Sequence, residues 1–228
     1  MENFSDIYER AVVRKGDEKS LAWLTSKPLQ AKQLLEVSNN DWLEEFTRKV
    51  FQSGFYWAVI NNKWPGFRDV FWNFDVKKLL MMPPEMLEEK SSDVRIVRNY
   101  KKVKTIVENA AMIEFSTEES GKEFNQYIAE WPSDNIVELW MWLKKNGARL
   151  GGNTGPYALR AMGKDTFLLS RDVEAYLRAH NIIEGGLHSK KSLQAAQDFF
   201  NTLQAQSGLS FQEISQIIAY SVGDNHIF

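Results

Sequence analysis

The chain has 228 residues, a formal net charge of −2, 43% hydrophobic residues and no cysteine. That length holds one domain or two small lobes with a sizeable core, and the missing cysteine excludes a disulfide framework, a thiol nucleophile and cysteine-bound zinc or iron–sulfur centres. No run reaches the roughly 18 uninterrupted apolar residues of a membrane span, and the charged opening MENFSDIYERAVVRKGDEK has no signal-peptide core, so a cytoplasmic protein without a membrane partner is expected.

Helical periodicity runs through most of the sequence. WLEEFTRKVFQSGFYWAVI (42–60) places Trp42, Leu43, Phe46, Val50 and Phe51 at intervals of three and four, with Asp41 as the expected cap. Trp64-Pro65-Gly66 reads as a turn. RNYKKVKTIVENAAMI (98–113) keeps the period through Val103, Ile106, Val107 and Ala110. NIVELWMWLKKNG (135–147) follows a cap at Ser133 or Asp134 and ends in two lysines and a glycine, a helix stop. DTFLLS (165–170) is the best strand-like run, and it is short. The segments beginning at Ser170, Ser189 and Ser210 each open on serine and stay helical in pattern. Trp140, Trp142 and Phe199 fall at helical spacing and are expected in a core. The expectation is an all-α fold.

Charge is unevenly spread. Arg95, Arg98, Lys101, Lys102 and Lys104 lie in one acid-free window, and Lys144, Lys145, Arg149, Arg160 and Lys164 in another. Such windows are usually solvated faces. The second one contains LGGNTGPYALRAMG (150–163), with three glycines and a proline directly before a helical run. A dinucleotide-binding loop must follow a strand, whereas VELWMWLKKNG is helical, and no Gly-Lys-Ser/Thr follows to make a P-loop. What remains is helix, short hairpin, helix over about 136–163. Pro156 suits the first helical position, with Thr154 or Gly155 at the cap, and Gly151, Gly152 and Gly155 allow positive φ and close approach. Such a hairpin offers N–H groups to an anion and would grip a DNA backbone without reading its sequence.

Four ordered blocks, FQSGFYWAVI (51–60), FRDVFWNFDVKKLLMM (67–82), RIVRNYKKVKTIVENAA (95–111) and KKNGARLGGNTGPYALRAMG (144–163), resemble the DNA-3-methyladenine glycosylase I family of helix-hairpin-helix DNA glycosylases. The resemblance covers roughly residues 42–180. It implies a two-lobed helical fold, 1–228 as a single glycosylase-like domain, with a cleft between lobes. There a monomeric enzyme would flip an alkylated purine such as 3-methyladenine out of double-stranded DNA and hydrolyse its glycosidic bond, without a cofactor.

By the same resemblance, Gln52, Ser53, Gly54 and Phe55 are the loop that wedges into DNA, Phe55 filling the gap left by the base. Trp57 matches the pocket tryptophan, and Tyr56, Lys49 and Tyr157 join it as the expected base-binding set. Gly151, Gly152, Asn153, Thr154 and Gly155, with Arg149, match the hairpin on the phosphate backbone. The physical chemistry is compatible, because a cationic purine over an indole gains cation–π attraction and an apolar wedge offsets unstacking.

The chain also departs from the family. Its zinc ligands are absent: there is no cysteine, and His180, His188 and His226 are expected as surface or cap residues, leaving no metal site. Lys49 stands where the family has a pocket glutamate. For the carboxylate that would assist bond cleavage, Asp172 lies two positions after the place where wider relatives carry a catalytic aspartate. Its plain alternative is a helix N-terminal carboxylate. Glu45, one turn before Lys49, is the second candidate, or simply the partner of that lysine. Pro156 and Tyr157 stand where strand-cutting relatives carry a Schiff-base lysine, which implies hydrolysis without lyase activity. A non-catalytic DNA-lesion or backbone-binding module of the same fold is the competing expectation. A phosphate-binding metabolic enzyme would need a strand before the glycines.

Overall fold

The structure, a computed structural model, describes residues 2–223; His226 lies outside them. Fourteen α-helices occur among the described residues: α1 Phe4–Lys15, α2 Glu18–Leu24, α3 Ala31–Leu34, α4 Asn39–Gln52, α5 Trp57–Val70, α6 Val76–Leu80, α7 Pro84–Ser91, α8 Tyr100–Ser120, α9 Phe124–Glu130, α10 Ile136–Asn146, α11 Thr154–Ala161, α12 Arg171–Ala179, α13 Lys190–Ser207 and α14 Phe211–Ser221. No strand occurs among the described residues. DTFLLS takes no strand conformation among the described residues, and Phe167 and Leu169 are buried in a core.

The chain divides into two compact units, one of residues 1–29, 132–139 and 163–228, the other of 30–131 and 140–162. In the first unit α1 and α12 both pack against α14. The rings of Phe167 and Phe200 stack at 4.1 Å with Phe211 edge-on to both. Asp165 accepts the N–H of Phe211 at 3.3 Å and of Gln212 at 2.9 Å, meeting donors at the start of α14 that have no partner inside the helix. Ser170, Ser189 and Ser210 each cap the helix that follows, and Ser210 makes a capping box with Glu213.

In the second unit α4 is the central element, packed by α8 and α11. Its buried Trp42, Leu43, Phe46, Val50 and Phe51 form one amphipathic face. The expected single helix over 42–60 is broken: α4 ends at Gln52, α5 starts at Trp57, and Gly54 takes φ +79° in the bend. The cap of α4 is Ser38, with Asp41 closing its capping box three residues later. Trp64-Pro65-Gly66 lies inside α5 and is not a turn. Trp64 stacks between Phe67 at 5.0 Å and Phe74 at 5.6 Å, and a Cβ on Gly66 would come within 2.4 Å of the Arg95 carbonyl oxygen, so packing overrides the local turn preference.

Trp72, Asn73 and Phe74 have φ of +52°, +52° and +57°. Left-handed backbone costs about 1–2 kcal/mol per residue, offset here by fully buried Phe71 and Phe74 and by Lys90, which reaches the Val70 carbonyl at 2.7 Å and lies 4.2 Å over Trp72. The basic windows are not uniform surfaces. Lys102 and Lys164 are 6% and 4% exposed, Arg95 pairs with Asp93 and Lys104 with Glu108. Burial pushes the Lys164 ammonium down to about 8.

The N-terminal residues of the first unit are pinned by a polar cluster. Glu2 accepts from Arg10 at 2.6 and 2.9 Å and from the Tyr176 hydroxyl at 2.7 Å, and the His180 ring stacks on Tyr176 at 4.0 Å. The Arg10 hydrogen bonds, with Tyr176 adding, hold the Glu2 carboxyl at about 2 instead of 4.5. A depressed carboxyl contributes stability above its unfolded pKa and loses it as pH falls through the folded value. Glu2→Gln is therefore expected to destabilise the protein by about 1–3 kcal/mol at pH 7, with the gap from wild type closing as the pH falls from 4.5 toward 2 in chemical denaturation.

Candidate DNA-contacting site

The break between α4 and α5 leaves Phe55, Tyr56 and Trp57 at 37%, 86% and 56% exposure. Three consecutive aromatics with this much exposure mark a contact surface. The loop is held from below by Lys102 of α8. Its ammonium donates to the carbonyls of Val50 at 2.8 Å, Phe51 at 3.3 Å and Ser53 at 2.5 Å, and lies 4.6 Å from the Phe55 ring centre. These are carbonyls at the helix end, where a cation is favoured. Burial, then Arg149 of the hairpin, lower the Lys102 pKa.

The hairpin between α10 and α11 is fixed by the same helix. Asn109, fully buried, accepts the Ala148 N–H at 2.7 Å and donates to the Ala148 carbonyl at 3.2 Å. Lys102 and Asn109 are seven residues apart and thus on one face of α8, so one helix face braces both the aromatic loop and the hairpin. In the turn, Gly152 takes φ +61° and the non-glycine Arg149 takes φ +60°. Gly151 and Gly155 do not use the positive-φ freedom expected of them. Gly155 is needed for close approach, since a Cβ there would lie 2.6 Å from the Leu150 carbonyl oxygen. Helix α11 starts at Thr154 with Asn153 at the cap, so Pro156 is its third residue, still within the turn that lacks intrahelical acceptors. The N–H groups of Gly151 and Gly152 donate to no acceptor among the described residues, and Lys144, Lys145 and Arg149 are exposed beside them.

Between loop and hairpin lies a cleft of about 170 Å³, lined by Lys49, Gln52, Ser53 and Trp57 on one side and Asn153, Thr154 and Tyr157 on the other. It lies wholly within the second unit. The Lys49 ammonium contacts Glu45 at 3.0 Å and the Gln52 side-chain oxygen at 3.3 Å, and sits 5.7 Å over the Trp57 ring. Gln52, 7% exposed, is steadied in turn by Asn61 at 3.4 Å.

The structure therefore brings Lys49, Gln52, Trp57, Asn153, Thr154 and Tyr157 together around one cleft. Phe55 and Gly54 lie on the adjoining loop, and Arg149, Gly151, Gly152 and Gly155 on the hairpin. Tyr56 does not line the cleft. Glu45 stands behind Lys49 and is shared with Arg48 at 3.4 Å. Asp172 belongs to the first unit, at the second position of α12 after the Ser170 cap. His180 packs on Tyr176 and His188 is exposed; no group of three or more potential metal ligands occurs among the described residues. Lys102 and Asn109 are the functional residues that periodicity overlooked. The available signal was two polar residues on the stripe of Val103, Ile106, Ala110 and Ile113.

Lys102→Met strips three carbonyls of a charged donor. The expected cost is about 2–3 kcal/mol in chemical denaturation, together with faster chymotrypsin cutting at Phe55 and Tyr56.

Residues 35–145 match the methyladenine glycosylase family. No curated protein matches the chain. Among solved structures, an 8-oxoguanine glycosylase/lyase from Methanocaldococcus jannaschii, in complex with 15mer DNA containing 8-oxoguanine, is 16% identical with a TM-score of 0.56, covering 94% of this chain and 96% of its own. A 3-methyladenine DNA glycosylase I in complex with 3-methyladenine is 18% identical at 0.50, covering 68% and 91%. A mutant 3-methyladenine DNA glycosylase I from Staphylococcus aureus is 18% identical at 0.50, covering 65% and 88%. At such identities the likeness is one of fold. Over residues 35–145, which carry the aromatic loop, Trp57, the α8 brace and nearly all of the hairpin's first helix, this chain carries the pattern of the methyladenine glycosylase family.

Proposed function

We propose that this protein is a DNA N-glycosylase that extrudes an alkylated purine from double-stranded DNA into the Trp57 cleft and hydrolyses its glycosidic bond without cutting the strand. One observation carries this reading: a single-base cleft lies between an exposed aromatic loop and a hairpin with free backbone donors, both braced by one face of α8. The hairpin N–H groups, Lys144, Lys145 and Arg149 take the phosphates. Phe55 enters the stack where the base leaves, offsetting an unstacking cost of a few kcal/mol. The base stacks on Trp57, with Gln52 and Tyr157 at its edges.

Bond cleavage builds positive charge on the sugar, which a carboxylate stabilises while water adds. The family resemblance offers Asp172 for that work, with Glu45, paired with Lys49 and Arg48, as the alternative carboxylate. No lysine stands at the start of α11 to form a Schiff base, which supports water as the nucleophile. The 3-methyladenine named for relatives of this fold is the first base to assay.

The test is release of free bases from duplex DNA carrying methylated and etheno-adducted purines. Wild type is expected to release alkylated purine and leave an intact abasic strand that borohydride does not cross-link to protein. Trp57→Ala and Asp172→Asn are each expected to lower the rate at least a hundredfold, with DNA binding within a few fold of wild type. Salt-sensitive DNA binding without release of any base would make the protein a lesion-binding module.

A further inference from the structure

The charge of the base that the cleft takes can be read from its walls. Of the residues lining it, Lys49 alone is charged. Its side chain is 15% exposed, so the ammonium is only partly hydrated. It pairs with Glu45 at 3.0 Å and donates to the Gln52 side-chain oxygen at 3.3 Å, and the ammonium lies over the Trp57 ring at 5.7 Å. The negative face of the indole, where a cationic ligand would gain attraction, thus already has a cation of the protein near it. Glu45, 3.0 Å away, offsets that charge only in part for an incoming ligand: the carboxylate is shared with Arg48 at 3.4 Å and does not line the cleft. A purinium ring stacked on Trp57 would meet a like charge and no carboxylate in the wall. An uncharged purine would meet a stacking face and an ammonium in the wall able to donate to an acceptor on its edge.

Resting on the glycosylase reading, we infer that the substrate of this cleft is an uncharged alkylated purine with a hydrogen-bond acceptor facing Lys49, and that Lys49 is its specificity-determining residue. The chemistry of departure agrees. When the bond from C1′ to an uncharged base breaks, the electron pair goes to the base, which leaves as an anion. Water adds to C1′ and gives up a proton, and the base is reprotonated by solvent. The Lys49 ammonium, bonded to the ring acceptor, stabilises the negative charge as it develops. A cationic base leaves neutral and needs no such donor. Lys49 therefore favours the harder departure and disfavours binding of the easier one.

The experiment uses full-length protein and two kinds of probe. Duplexes carrying one 1,N6-ethenoadenine or one 7-methylguanine report excision, each rate taken relative to spontaneous loss. The free 9-methylated analogues, uncharged 1,N6-etheno-9-methyladenine and cationic 3,9-dimethyladenine, report binding by titration calorimetry without catalysis. Wild type is expected to bind the uncharged analogue and to enhance release of the uncharged base at least tenfold more than that of the cationic one. Lys49→Gln is expected to shift both selectivities at least tenfold toward the cation, and Lys49→Arg to keep the wild-type order, with thermal melts verifying that each variant is folded. Release of the cationic base in preference by wild type, unchanged in Lys49→Gln, would overturn the assignment while leaving the glycosylase reading intact. An equal loss for both bases and for undamaged DNA would place Lys49 on the phosphate backbone and likewise overturn it. Release of neither base, with neither analogue bound, would remove the glycosylase reading along with the inference.

Discussion

At the end of α4 the carbonyls of Val50, Phe51 and Ser53 turn to one buried ammonium, that of Lys102. Had α4 run on, its next amides would have satisfied the first two of these carbonyls and the aromatic residues that follow would have been wound onto a helix. Because Lys102 satisfies them instead, the chain can leave the helix at Gly54 and expose Phe55, Tyr56 and Trp57 before α5 begins. A charged donor in a poorly hydrated place is itself costly, and three acceptors with a ring face beside them offset that cost. The exposed loop thus depends on a buried ion in the helix beneath it.

The same helix gives the site its second half. One face of α8 carries Lys102 to the loop and Asn109 to Ala148 of the hairpin, so the two surfaces that would meet DNA are mounted on one rigid element. The cleft between them inherits its width from that mounting, and side chains locked by neighbours line it: Lys49 by Glu45 and Gln52, Gln52 by Asn61. Preorganised groups of this kind act on a ligand without first paying to rearrange.

Helix periodicity, serine caps and the glycine hairpin were legible in the sequence because each rests on local physics. The hairpin could be separated from a dinucleotide loop by the helix before it alone. The break at Ser53–Tyr56 was not legible in the periodicity, since Phe51, Phe55 and Val59 keep helical spacing across it and the donor that ends the helix is about fifty residues away in the chain; only the family resemblance pointed to a loop at Gln52–Phe55. Trp64-Pro65-Gly66 failed for the opposite reason: strong turn residues sit inside α5, where the stacking of Trp64 on Phe67 and Phe74 outweighs their preference. Lys102 was visible only as one member of a basic window, and its role depends on burial that composition does not reveal.

The central claim is that the loop, cleft and hairpin act together to take a base out of the duplex. Steady-state fluorescence of 2-aminopurine placed at the target position tests it most directly, because the probe brightens when it leaves the stack. Binding of wild type is expected to raise the fluorescence severalfold, and binding of Phe55→Ala, at matched saturation, to leave it near the free-duplex level. An unchanged signal on saturation with wild type, or an equal rise with Phe55→Ala, would contradict the account.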